Sequence, residues 1–118
     1  MSHVELLDEV RLRRQVFGEV EFLAEQLDLF RHYYTNQIAQ IRGAIETDDA
    51  GRLREWAHQL SGSLGHFHAS VSRDTAKAME ACGKENRVAE AATLCPQLEK
   101  QVVELCDVVE QLIANFDA

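Results

Sequence analysis

Between Leu23 and Ile45 the apolar residues Leu23, Leu27, Phe30, Tyr34, Ile38, Ile41 and Ile45 recur at steps of three and four. That period gathers them on one stripe of a helix, whereas a strand would scatter them over two faces. The spacing predicts a long amphipathic helix over about Glu19 to Glu46. Leu53, Ala57, Leu60, Leu64 and Phe67 form a second, narrower stripe on a helix of about Ala50 to Phe67, with Trp56 at its edge as a packing residue. Leu94, Leu98, Val102, Leu105, Val109, Leu112 and Phe116 stay in register on a last helix of about Val88 to Phe116. The stretch from Ser70 to Cys82 has a weaker apolar face, with Val71, Thr75, Ala76 and Met79 as core candidates.

Punctuating residues supply the boundaries. Asp8 is placed to cap a short first helix that runs to about Val16, and Gly18 breaks it. Asp48 or Asp49 caps the helix that starts at Ala50. A tight turn near His68 precedes Ser70, Gly83 is read as a C-terminal stop, and Pro96 is expected to kink or restart the last helix. Four long helices joined by short connections give an all-α fold, an up-down antiparallel four-helix bundle with the short N-terminal helix as a lid on one end.

Composition narrows the class. The 118 residues are read as a single domain over 1–118, with one proline, six glycines and no linker, repeat or low-complexity segment. No run of 18 apolar residues and no charged-then-apolar leader are read, so a soluble cytoplasmic protein without a membrane role is expected. Twelve Lys and Arg against twenty Asp and Glu leave a formal charge of −8, which argues against a nucleic-acid partner. The three cysteines, Cys82, Cys95 and Cys106, lack C-x-x-C spacing and are expected to be reduced packing thiols.

One helix face carries candidate chemistry. His58 lies roughly 140° round from Leu53 on the helix wheel, well off the apolar stripe. Its neighbours three, four and seven residues on are Ser61, Gly62 and Gly65. Glycine inside a helix costs up to about 1 kcal/mol relative to alanine, so two of them beside a surface imidazole imply a partner that must come close. His66 and His68 are too far apart in angle for joint metal ligation, and no metal site is expected.

These residues carry a family resemblance. Ala57-His58-x-Leu60-x-Gly62-Ser63 is similar to the phosphoacceptor helix of histidine-containing phosphotransfer (HPt) domains of two-component phosphorelays. The likeness extends to Phe17-Gly18-Glu19-Val20-Glu21-Phe22-Leu23, to Leu27-x-x-Phe30, and to Asp48-Asp49 before the histidine helix. The family pattern usually has a lysine where this chain has Ser61, and a glycine where it has His68.

The resemblance implies that His58 accepts a phosphoryl group from a receiver-domain aspartate and passes it to another. Neutral imidazole is a competent nucleophile near pH 7, and its phosphoramidate is readily transferred. The implied partners are response-regulator receiver domains and a hybrid sensor histidine kinase. Mg²⁺ is expected from the receiver, with no cofactor held by this chain and no autonomous kinase activity. In the bundle, Lys77, Glu80 and Lys84 come to the level of His58, and Arg54 shares its face. Lys77, Lys84 and Arg54 are therefore candidates to replace the family lysine. Tyr33, Gln37 and Gln40 are expected on the other side, with Tyr33 contributing to an apolar docking rim. Gly62 and Gly65 are read as clearance for the receiver. A monomer is the default, and an adaptor that binds a receiver or kinase without carrying phosphate is the alternative that Ser61 keeps open.

Overall fold

The structure, a computed structural model, describes residues 8, 11, 12 and 19–115. Four helices follow one another: α1 (Val20–Glu46), α2 (Ala50–Gly65), α3 (Ser70–Lys84) and α4 (Val88–Ala114). Each packs on its neighbour in sequence, and α1 also packs on α4, which closes the ring. Antiparallel order is visible in the pairs Arg31–Glu110 and Arg42–Glu99, where eleven residues forward on α1 meet eleven back on α4. The result is the up-down four-helix bundle that the periodicity predicts.

The predicted stripes form the core. Leu53, Ala57, Leu60 and Leu64 of α2 are wholly buried, as are Ile41, Met79, Leu98 and Val109 from the other three helices. Trp56 is half-buried against that core. Phe67, just past α2, is buried edge-on against Phe30, which stacks on Tyr34. All three cysteines are free and buried. Burial pushes the Cys95 thiol up to about 11, so none of its reactivity as a thiolate is available near neutral pH.

The predicted N-terminal lid lies mostly outside the described residues, including Val16 and Gly18. What is described agrees with a cap at Asp8. Its carboxylate accepts from the Arg11 amide at 3.0 Å, and its amide donates to the His68 carbonyl at 3.0 Å. Between α1 and α2 it is Asp49 that caps, its carboxylate accepting from the Arg52 amide at 3.1 Å.

All three connections use one device. Asp48, His68 and Asn86 each sit in the left-handed region, at φ of 53°, 51° and 58°. In each case the next residue's amide reaches back five residues, to Ala44, Leu64 and Cys82, and the left-handed residue's own amide reaches back three. This double bond pattern satisfies the carbonyls that a helix end leaves open. His68 occupies the position where the family pattern has glycine, and its backbone conformation explains why glycine is favoured there.

Two sequence expectations need correction. Pro96 does not restart the last helix: α4 runs unbroken through it, and Pro96 faces outward. The predicted end at Phe116 lies outside the described residues. Gly83 does not stop α3. It lies inside that helix, which ends where Asn86 turns left-handed. A Cβ on Gly83 would stand 2.7 Å from the Ala50 carbonyl oxygen, 2.7 Å from the Arg54 amide and 2.9 Å from the Arg54 Cα. Two backbones touch here, and only a residue without a side chain lets them.

Gly83→Ala is therefore expected to destabilise the fold by about 1–3 kcal/mol, because the atoms it meets are backbone and cannot swing aside. Urea unfolding followed by circular dichroism reads this directly. An unchanged midpoint would show that the helices separate without cost.

Candidate functional site

The apolar stripe of α2 turns His58 outward, because Leu53, Ala57, Leu60 and Leu64 fix which face of the helix is buried. The His58 side chain is 73 % exposed. It is nevertheless held: Nδ1 lies 3.1 Å from Oε2 of Glu80 on α3, whose side chain is 28 % exposed. An ionised carboxylate can only accept, so Nδ1 carries the proton and donates it to Glu80. The lone pair is left on Nε2. A single contact thus fixes the ring's orientation, its tautomer and the nitrogen that can act as nucleophile.

The surroundings of the ring divide into two shallow clefts. One is lined by His58, Ser61, Gly62, Arg73, Lys77, Glu80, Ala81 and Lys84. The other is lined by Gly51, Arg54, Glu55, His58, Gln59 and Glu80. The predicted residues Arg54, Ser61, Gly62, Lys77 and Lys84 are brought together around His58. Ser61 is itself buried, its hydroxyl donating to the His58 carbonyl at 2.9 Å.

The two glycines differ. A Cβ on Gly62 would meet nothing within 4 Å, so the space beside His58 is open there. At Gly65 the space is occupied by this chain's own Arg73, whose Nε would lie 3.6 Å from the added Cβ. Clearance at Gly65 therefore depends on where the exposed Arg73 side chain lies. Arg73 was missed in the sequence. It lies fifteen positions beyond His58, and only the α2–α3 register brings it near.

Residues expected from α1 are placed elsewhere. Gln37 is buried and donates through Nε2 to the Ser63 hydroxyl at 3.2 Å, which in turn donates to the Gln59 carbonyl. Gln40 accepts the Arg52 guanidinium at 2.6 Å. Tyr33 lines a separate groove with Gln26, Leu29, Phe30, Ser63, His66 and Phe67. That groove begins about one turn past His58 along α2. Beside it Leu29 and Tyr33, both large side chains, are half exposed or more.

Charge is distributed unevenly. Arg31, Arg42 and Arg87 are tied to Glu110, to Glu99, and to Glu85 with Glu90. Among the described residues, Arg54, Arg73, Lys77 and Lys84 make no ion pair. In a chain of net charge −8, four unpaired cations surround one histidine. No three His, Cys, Asp or Glu side chains among the described residues are grouped to hold a metal ion.

A helical bundle that presents one ordered imidazole from the second of its four helices defines a class, and the comparisons agree with it. The Hpt domain model matches residues 25–115, and the chain belongs to that family. It is similar to the phosphorelay intermediate protein rdeA of Dictyostelium discoideum, at 24% identity over 100 residues. That match covers 85% of this chain and 39% of the relative, so the chain spans about two fifths of that protein's length. Its fold is that of the crystal structure of histidine-containing phosphotransfer protein B from Pseudomonas aeruginosa PAO1, with a TM-score of 0.82. Identity there is 23%, over 97% of this chain and 98% of the other.

The Glu80 contact yields an expected outcome. In the neutral ring, imidazole nitrogen NMR is expected to show His58 protonated at Nδ1 and bare at Nε2. Glu80→Ala is expected to shift that population toward the Nε2–H form, and an unchanged tautomer ratio would remove Glu80 from the assignment.

Proposed function

We propose that His58 is the phosphoacceptor of a phosphorelay intermediate in two-component signalling. The observation that carries this reading is the exposed ring whose Nδ1–H is held by Glu80 while Nε2 faces open space. The donor is a receiver domain bearing an aspartyl phosphate. Nε2 attacks phosphorus, the N–P bond forms, the P–O bond to the aspartate breaks, and the carboxylate leaves with the electron pair. The Nδ1 proton stays in place, so the ring becomes an imidazolium whose new positive charge faces Glu80. In the second transfer a receiver carboxylate attacks phosphorus and the N–P electron pair returns to Nε2. Neither step needs a proton to move.

Phosphoryl transfer needs in-line geometry and neutralised charge more than covalent help. The acidic pocket and Mg²⁺ are the receiver's contribution, and the hybrid kinase supplies the phosphate upstream. Gly62 gives the approaching receiver room beside the ring. The half-exposed Leu29 and Tyr33, beside the groove at the end of α2, support an apolar docking rim. We place the protein in the cytoplasm as a monomer; no described helix is long and apolar enough to cross a membrane.

The test charges purified receiver domains with acetyl phosphate and Mg²⁺ and follows acid-labile, alkali-stable phosphate onto the chain. Label is expected on the wild type and not on His58→Gln. Receiver binding without any label on the wild type would favour the adaptor reading instead. Gly62→Ala separates fold from docking. It is expected to gain up to about 1 kcal/mol of stability, because the added methyl meets nothing in the chain. Transfer is nevertheless expected to slow, since that methyl stands in the receiver's path. Equal transfer by Gly62→Ala would show that no partner packs there.

A further inference from the structure

We infer that Lys77 supplies the cation that holds the phosphoryl group on His58, in place of the lysine that the family pattern has at Ser61. This rests on the reading of His58 as phosphoacceptor. Three observations lead to Lys77.

The first is register. His58 meets Glu80, and seven residues further along α2, Gly65 meets Arg73, seven residues back along α3. The seam is antiparallel with no slip between these contacts. Ser61 is three residues on from His58, and Lys77 is three back from Glu80, so the two face each other across the seam. They line the same cleft as His58 and Gly62. A lysine rooted at 77 therefore enters, from the facing helix, the space that a lysine rooted at 61 would enter.

Room is the second. Ser61 is 5% exposed and its hydroxyl is turned inward to the His58 carbonyl. It fills none of the cleft, and Gly62 beside it adds no side chain. Availability is the third. Lys77 is exposed and makes no ion pair among the described residues, while Glu80 is engaged by His58. Arg73 is laid across Gly65, one turn further off, and Lys84 lies one turn past Glu80 toward the other end of α3, away from Ser61. The Lys77 ammonium then donates to the non-bridging oxygens of the phosphoryl group as it arrives on Nε2. Lys77 makes and breaks no covalent bond; it offsets charge that is already forming.

The experiment follows transfer from a charged receiver to the full chain at saturating receiver, with receiver affinity measured separately. Lys77→Ala is expected to slow transfer about tenfold to a hundredfold, the loss of one charge-assisted hydrogen bond. Lys84→Ala is expected to slow it less than Lys77→Ala does, since Lys84 borders the same cleft from the end away from Ser61. Lys77→Ala combined with Ser61→Lys is expected to recover most of the rate, a rescue that a merely structural role for Lys77 would not show. Wild-type transfer by Lys77→Ala at saturating receiver, or a loss that Ser61→Lys does not relieve, would overturn the assignment. Equal labelling of His58→Gln would overturn the phosphoacceptor reading itself, which keeps the two failures distinct.

Discussion

The backbone of α3 at Gly83 rests on the backbone of α2 at Ala50 and Arg54, and the geometry of the site follows from that contact. Side chains can adjust to one another by changing rotamer, but two backbones in contact leave little freedom to slide or rotate. With that end of the seam fixed, the antiparallel course of the two helices sets the rest: Glu80 beneath His58, Lys77 opposite Ser61, Arg73 across Gly65. The small residues that line α3, among them Ser72, Thr75 and Ala76, are buried because the helices lie so close. A bulkier seam would part the helices and withdraw Glu80 from the imidazole.

Around that seam the charges are sorted by task. The bundle ties arginines on its α1 and α4 side to carboxylates, where each pair offsets the loss of hydration and adds little else. Among the described residues the cations near His58 are left unpaired, although the chain has an excess of acidic residues. An unpaired cation keeps its field for whatever arrives, and on the proposed reading of His58 that is a phosphoryl group. Glu80 is the carboxylate that reaches the ring, while Glu55 borders the neighbouring cleft. Glu80 acts on the ring from the Nδ1 side, away from the nitrogen that would carry phosphate.

Much of this was legible in the sequence. Helical periodicity gave α1, α2 and α4, because their buried stripes are long and aliphatic, and it turned His58 outward on the same grounds. α3 was weaker for a physical reason: beside Met79 and Cys82 its buried face is Ser72, Thr75, Ala76 and Gly83, residues that pack by being small and leave little hydrophobic signature. Gly83 was misread as a stop for the same reason, since a glycine that ends a helix and a glycine that lets two helices touch are alike in one dimension. The true stops, Asp48, His68 and Asn86, are polar residues that tolerate the left-handed region without announcing it. Gln37 was placed beside His58 by counting turns alone, and its burial under Ser63 depends on how α1 crosses α2. Arg73 could not have been found without the seam's register.

The two departures from the family pattern now have different physical meanings. At His68 a side chain replaces glycine in a left-handed residue, which costs on the order of 1–2 kcal/mol locally and leaves the connection's hydrogen bonds in place. That cost falls on stability and does not reach the ring. At Ser61 the change falls on the site itself, yet it leaves a cleft that an adjacent cation already borders. A charge can be moved from one helix to the next only if the two helices keep a fixed register, since a slip of one residue would rotate Lys77 by about 100° away from His58. The contact at Gly83 provides that fixed register. The seam that orients the imidazole is thus also what permits its counter-charge to come from α3 instead of α2.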